Sequence, residues 1–256
     1  MKSDNAGSSG QRINALIKCF NIIEELKERG SVGVSDLAAA LDMPTSTVYV
    51  YLQTLEELEY VIADQGEYRL SLRFLDIGCR VRNRLDVFSA ARHEMIDLSQ
   101  ETGETVGIGV VENGKRVELW QIEGEDAIND KIHVGEHTYL HWTSLGKTLL
   151  ASLSDEEIDR IVDRQGLPKA TENTITDRAE LLEEVEQIRR QGFTIEDEER
   201  KVGIRSVSVP LSDVDGNTVA ALGINAPKNK MVPQRCDEYV SRLKRKANVI
   251  SIRYNY

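Results

Sequence analysis

The chain has 256 residues, enough for one large domain or two modest ones, and 40% of them are hydrophobic, enough for a proper core. Lys and Arg number 32 against 43 Asp and Glu, a net charge of −11, which argues against a generally basic protein that coats nucleic acid or anionic membranes. Three scattered cysteines with no CxxC spacing exclude a disulfide framework and a zinc site, residues 1–10 lack the apolar core of a signal peptide, and no run is long enough to span a membrane.

Residues 1–10 (MKSDNAGSSG) are expected to form a disordered tail. Ile13, Leu16, Ile17, Phe20, Ile23 and Leu26 recur at helical spacing, and Arg29-Gly30 supplies a basic last turn and a glycine cap. Ser35 is placed to cap a short helix over 36–41, with Leu37 and Leu41 on one face. Asp42-Met43-Pro44 breaks that helix, because the residue before a proline is pushed out of the α region. Thr45 or Ser46 caps the next one. There Val48, Leu52, Leu55 and Leu58 share a stripe, and Ser46, Tyr49, Val50 and Gln53 lie opposite. The segments 60–63 and 68–71 flank a polar turn with Gly66 and read as a hairpin wing. Two short helices joined by a tight turn have the size of a helix-turn-helix, whose second helix enters the major groove of DNA. An ordinary helical hairpin has the same pattern. Residues 1–75 carry seven basic and eleven acidic side chains, net −4, where DNA-binding modules usually carry a basic footprint. In multimolar salt the Debye length falls to about 3 Å or less, which screens such repulsion. With 20 Arg against 12 Lys, the acidity is read as adaptation to a salt-rich host.

From 74 to 101 the spacing predicts one connecting helix with Val81, Leu85, Phe88, Met95 and Leu98 on its apolar stripe, serving also in dimer packing. Segments 105–111 and 116–122 are β-rich and joined across Asn113-Gly114, a hairpin turn signal. A strand is expected at 131–134 and a helix at 143–153. Ser154-Asp155-Glu156-Glu157 is a capping box that opens a helix to 164. Thr176 is expected to cap a helix that buries Leu181, Leu182, Val185 and Ile188 and ends at Gly192. Strands follow at 193–196, 205–211 and 218–225, and Pro233 suits the first turn of a final helix to about 252. Interleaved helices and hairpins make the second domain α+β with a mainly antiparallel sheet.

The order of these motifs resembles the IclR family of transcriptional regulators, over about residues 12–253. Its helix-turn-helix is present as LAAALDMPTSTVYVYLQTL (37–55). Its "TGETV" segment is Thr102-Gly103-Glu104-Thr105-Val106, its "H.(T/S)..GK..LA" segment spans 141–151, and its "(D/E)EE…G…P" segment lies within 188–210, with Glu198, Glu199, Gly203 and Pro210. The resemblance implies a winged helix-turn-helix domain (1–75), a linker helix (76–101) and an effector-binding domain similar to the GAF fold (102–256). It further implies dimers or tetramers on palindromic promoter sites of double-stranded DNA, a cytoplasmic regulator, no cofactor, and a metabolite of sugar or organic-acid catabolism as effector. By position the effector pocket comprises Ser144, Leu145, Gly146, Glu196, Ser206, Gly223 and Asn225. Where the family commonly has an arginine in the second helix this chain has Val50; Ser206 replaces a cysteine of some members, and Asn225 a serine. The acidity with this family points to a host of the haloarchaeal type.

These residues also make chemical sense. The helix opening at Ser144-Leu145-Gly146 offers first-turn N–H groups to an anion. Ser206 and Asn225 donate to a carboxylate or hydroxyl and Glu196 accepts, which suits a small polyhydroxy acid or sugar derivative. Thr45, Ser46, Thr47, Tyr49, Val50 and Gln53 are the candidate DNA contacts of the second helix, with Arg69 on the wing as the basic phosphate contact. Gly146-Lys147-Thr148 lacks the upstream glycine of a P-loop, and Ser144-x-x-Lys147 lacks the SDN and KTG partners of a penicillin-binding enzyme. His133, His137 and His141 stand four apart, but Gly135 argues against the helix a metal would need. No catalytic pair emerges. An enzyme built on the C-terminal domain and a metabolite-sensing protein-interaction module stay open as the other readings.

Overall fold

The computed structural model describes residues 12–125, 127 and 132–256. The expected tail at 1–10 and Lys131 lie outside them. The chain divides into two units, residues 1–81 and 82–256.

In the first unit, α1 (Asn14–Arg29) leads into β1 (Ser31–Gly33), α2 (Val34–Ala40) and α3 (Thr45–Glu57), then β2 (Val61–Asp64) and β3 (Glu67–Leu70). The three strands form an antiparallel sheet in the order β1-β3-β2, turned at Gly66 with φ +88°. Ile22 and Leu26 of α1 join Leu37, Val48, Leu52, Leu55, Val61 and Tyr68 in one core. The rest of the α1 stripe departs from expectation. Ile13, Leu16, Ile17 and Phe20 are exposed, because no other element of this unit covers the first two turns. Strand β1 escaped the sequence reading, since three residues are too short to show alternation. Leu58 is also exposed, as it lies just past the last helical residue of α3.

Neither expected hydroxyl cap forms. α2 begins at Val34 behind Gly33, so Ser35 already sits inside the first turn. α3 begins at Thr45 behind Pro44, whose extended backbone (ψ 134°) takes the cap position without a side-chain acceptor. The hydroxyls of Thr45 and Ser46 are thereby left at the surface.

The expected single helix at 74–101 is two helices, α4 (Arg73–Asn83) and α5 (Asp86–Thr102). Leu85 is extended (φ −89°, ψ 104°), and Asp86 starts the new helix with a negative charge at its positive end. α4 buries no residue, and Val81 is 60% exposed. α5 is part of the second unit, where Val87, Phe88, Ala91, Met95 and Leu98 are buried.

The second unit continues with β4 (Thr105–Glu112), β5 (Lys115–Ile122), β6 (His137–Tyr139), a 3-10 turn (Leu140–Trp142), α6 (Ser144–Ala151), α7 (Asp155–Gln165) and α8 (Arg178–Gln191). β7 (Thr194–Asp197), β8 (Ile204–Ser212), β9 (Thr218–Pro227) and α9 (Pro233–Asn255) complete it. The six strands pair antiparallel throughout, in the order β6-β5-β4-β9-β8-β7. Residues 132–134 do not form the expected strand. Gly135 turns the chain at φ +84° and its N–H bonds the Glu118 carbonyl, so pairing with β5 resumes only at His137. Asp177, not Thr176, caps α8, accepting from the N–H groups of Ala179 and Glu180. Its carboxylate is the stronger acceptor. The Ser154–Glu157 capping box forms as expected.

The two sheet faces differ in chemistry. Val106, Ile108, Val207, Val209, Leu222 and Ile224 pack with α5 and α9 in the main core. The residues between them (Thr105, Gly107, Ser206, Ser208, Gly223, Asn225) point the other way, because strand side chains alternate. They lie on the α6 side, where the Leu145 side chain sits against Gly107 and Gly223.

Candidate functional site

Each unit carries a candidate surface. On α3, Val48, Leu52 and Leu55 are buried, while Thr45, Ser46, Tyr49, Val50 and Gln53 are exposed and Thr47 is half-buried. The Gln53 Nε2 donates to the Tyr49 hydroxyl at 3.0 Å, and Thr54 Oγ1 bonds the Val50 carbonyl at 2.9 Å. Arg69 stands exposed on β3 opposite Ile62 of β2. Lys27, Arg29, Arg73 and Arg80 are each paired with a carboxylate, of Glu24, Glu25, Glu59 and Asp76. Arg69 has no ion pair among the described residues, so its guanidinium is available to an external anion.

In the second unit, Ser144, Leu145, Glu196, Ser206 and Asn225 come together around a small, largely enclosed cavity of about 10 Å³, with Arg116, Thr143, Arg200, Ile132 and Ile204. Sheet register does much of this. Glu196 faces Ser206, Ser206 faces Asn225 and Asn225 faces Thr105, a polar row across four strands. Gly146 and Gly223 do not line the cavity. A Cβ on Gly146 would lie 2.1 Å from the Leu140 carbonyl oxygen, and one on Gly223 3.0 Å from Leu145 Cδ2. Both glycines let α6 approach its neighbours closely.

The α6 N-terminus is less open than expected. Thr143 Oγ1 accepts from the Gly146 N–H at 2.9 Å, which leaves the N–H groups of Ser144 and Leu145. Ser206 is also engaged: its hydroxyl donates to Glu196 Oε2 at 2.7 Å. Glu196 Oε1 accepts from the backbone N–H groups of Glu199 and Arg200 at 2.6 and 3.1 Å. Burial nevertheless pushes the Glu196 carboxyl up to about 7, against the pull of those hydrogen bonds.

Lys147 is 1% exposed and its ammonium bonds Glu199 at 2.6 Å and Glu184 at 2.9 Å. Those carboxylates outweigh its burial and raise its pKa. It is a structural cation that ties α6 to α8 and to the chain after β7. His141 bonds the Pro168 carbonyl through Nε2 at 3.0 Å, His137 Nδ1 lies 2.9 Å from the Gly135 carbonyl, and the His133 N–H bonds Glu136. No cluster able to hold a metal exists among the described residues.

Arg116, Thr143, Arg200, Ile132 and Ile204 were missed in the sequence. A signal existed for Arg116. Arg116 and Glu118 alternate with the apolar Val117 and Leu119, a charged pair on one face of the strand.

The description "Bacterial transcriptional regulator IclR C-terminal" matches residues 79–252, and "IclR helix-turn-helix domain" matches residues 15–65. The chain is 32% identical over 247 residues to the HTH-type transcriptional regulator KdgR of Escherichia coli (strain K12), covering 95% of this chain and 94% of that one. It is 31% identical over 224 residues to the HTH-type transcriptional repressor AllR of the same strain, covering 86% and 83%. The crystal structure of the Thermotoga maritima IclR superposes with a TM-score of 0.81 at 31% identity, over 96% of this chain and 100% of that one. These are regulators, not enzymes, and the two-unit architecture is theirs. The chain belongs to the IclR family of DNA-binding transcriptional regulators.

Proposed function

We propose that α3 engages an operator through Ser46, Tyr49, Val50 and Gln53, which contact bases and phosphates, while Thr45, Thr47 and Arg69 hold phosphates. In this reading residues 1–75 form the DNA-binding domain, 102–256 the effector-binding domain and 76–101 the connection, of which α4 is the linker proper and α5 packs in the core of the second unit, and the protein acts in the cytoplasm as a homodimer or homotetramer on a palindromic site. The observation that carries it is the α3 surface: a polar, exposed face backed by buried Val48, Leu52 and Leu55, beside a wing with an unpaired arginine. The effector is a small sugar acid, sugar derivative or organic acid of a catabolic pathway. It sits at the cavity lined by Ser144, Leu145, Glu196, Ser206 and Asn225, with Gly146 and Gly223 behind the lining, where they let α6 approach its neighbours closely. Effector and DNA affinities are then reciprocally coupled.

Sequencing of DNA pulled down with the tagged chain from its own host tests this. Discrete peaks that share a palindrome near catabolic genes support it, and absence of enrichment with folded protein present overturns it. The net −4 of residues 1–75 favours a second reading, a wing that docks on protein. DNA binding that strengthens with screening salt decides against that alternative.

A further inference from the structure

Strand β5 places Arg116 and Glu118 two residues apart, on one face, and both are 1% exposed. They form an ion pair, and Arg116 Nε donates to Thr138 Oγ1 at 2.8 Å. The neighbouring strand β4 makes room for them with glycine. A Cβ on Gly107 would lie 2.9 Å from Glu118 Oε1, and one on Gly109 3.3 Å from Arg116 Cγ. The pair therefore lies across the inner face of the sheet, and Arg116 reaches the wall of the cavity.

A buried ion pair is sustained only when its remaining hydrogen-bonding groups are satisfied. Here they are not. Arg116 Nη2, Glu118 Oε1 and the Ser144 hydroxyl have no partner among the described residues. Arg116 and Ser144 both line the same enclosed space, as does Arg200. The Arg116 guanidinium, the Ser144 hydroxyl and the N–H groups of Ser144 and Leu145 thus border one space. Glu196 stands on the same wall, with Ser206 and Asn225. Such a set is matched by a ligand that carries a carboxylate and hydroxyls.

We propose that Arg116 is a specificity-determining residue of the effector site, its free Nη2 and the Ser144 hydroxyl together anchoring the carboxylate of a polyhydroxylated acid. This rests on the cavity being the effector site, as proposed above. Glu118 is a positioning residue: it holds the guanidinium fork in place and offsets its charge. Selection therefore depends on the two-point geometry of Nη2 and the Ser144 hydroxyl and not on long-range attraction, and the neutral alcohol of the same carbon chain is rejected because it leaves the buried donors unmatched.

The test is calorimetric titration of the full chain with two aldonates, threonate and gluconate, and their alditols, threitol and sorbitol. Wild type is expected to bind at least one aldonate about tenfold or more tighter than its alditol, the value of a charge-assisted hydrogen bond. The Arg116→Gln/Glu118→Gln variant, which buries no unpaired charge, loses that preference. Ser144→Ala, which leaves the ion pair intact, weakens aldonate binding and spares the alditol, so the assignment stays open to refutation if the double variant misfolds. A double variant that folds and keeps the preference overturns the proposal. So does a wild type that binds the alditol equally well, or neither class. Glu196→Gln separates the two levels. If it weakens binding while the Arg116 variant does not, only the role of Arg116 falls; if neither weakens it, the cavity is not the effector site.

Discussion

Gln53 donates a hydrogen bond to the Tyr49 hydroxyl across one turn of α3, on the face opposite the buried Val48, Leu52 and Leu55. The bond orders two long polar side chains together before anything binds them. It also makes them act as a unit, so their contributions to DNA recognition should not add. Tyr49→Ala with Gln53→Ala is expected to abolish specific binding while the melting curve stays near wild type, as neither side chain is in the core. A base contact is worth about 1–3 kcal/mol. Fluorescence anisotropy with operator and scrambled duplexes measures the loss, and retained operator preference would refute the assignment.

Arg69 predicts a different signature. A phosphate contact contributes to all sequences alike through counterion release. Arg69→Ala should weaken operator and scrambled duplex by the same factor and shift the slope of log K against log salt by about +1, the share of one lost phosphate contact. Loss of sequence preference would instead make Arg69 a base-reading residue.

Glu196 links the cavity to pH. Burial lifts its carboxyl from 4.5 to about 7. Between those values the folded chain keeps a proton that the unfolded chain has released. Stability from this group is therefore full below pH 4.5 and falls as pH rises through about 7, by up to about 3 kcal/mol. Glu196→Gln has no proton to lose, and its Gln oxygen can still accept from Glu199 and Arg200. Urea midpoints across this window should decline less with pH in the variant than in wild type. Parallel slopes would show that Glu196 titrates normally.

Gly146 sets helix propensity against packing. In a free helix Ala is better than Gly by about 1 kcal/mol. Here the added methyl would meet the backbone of Leu140 at 2.1 to 2.8 Å, and backbone cannot step aside as a side chain can. Overpacking of this kind costs about 1–3 kcal/mol, so Gly146→Ala should lower the melting temperature. An unchanged or higher value would show that α6 shifts freely.

The net charge of −11 predicts a response to salt. Self-repulsion among the surplus carboxylates is screened as ionic strength rises. A salt-adapted chain should melt at a higher temperature in multimolar KCl than in dilute buffer. Identical melting curves would remove the case for a salt-adapted host.

The sequence by itself determined both kinds of domain. Val48, Leu52 and Leu55 at helical spacing and Gly66 between two short β-rich runs defined α3 and the wing. Asn113-Gly114 set the β4–β5 hairpin, and Ser154 with Glu157 capped α7 as expected. Such features depend on neighbours in the chain, so periodicity and turn chemistry reveal them. Tertiary structure decided the rest. Leu85 split what periodicity read as one helix, Asp177 displaced Thr176 as the cap, and Gly135 moved a strand to β6. The cavity shows the difference most plainly. Ser206, Glu196 and Asn225 were recognisable through the family pattern, but their convergence with Arg116 on one cavity was not. It depends on strand order and register, on α6 seated against Gly107 and Gly223, and on glycines in β4 that leave room for a charged pair carried by β5. A local pattern records which face a residue occupies. Only the paired sheet decides what that face meets.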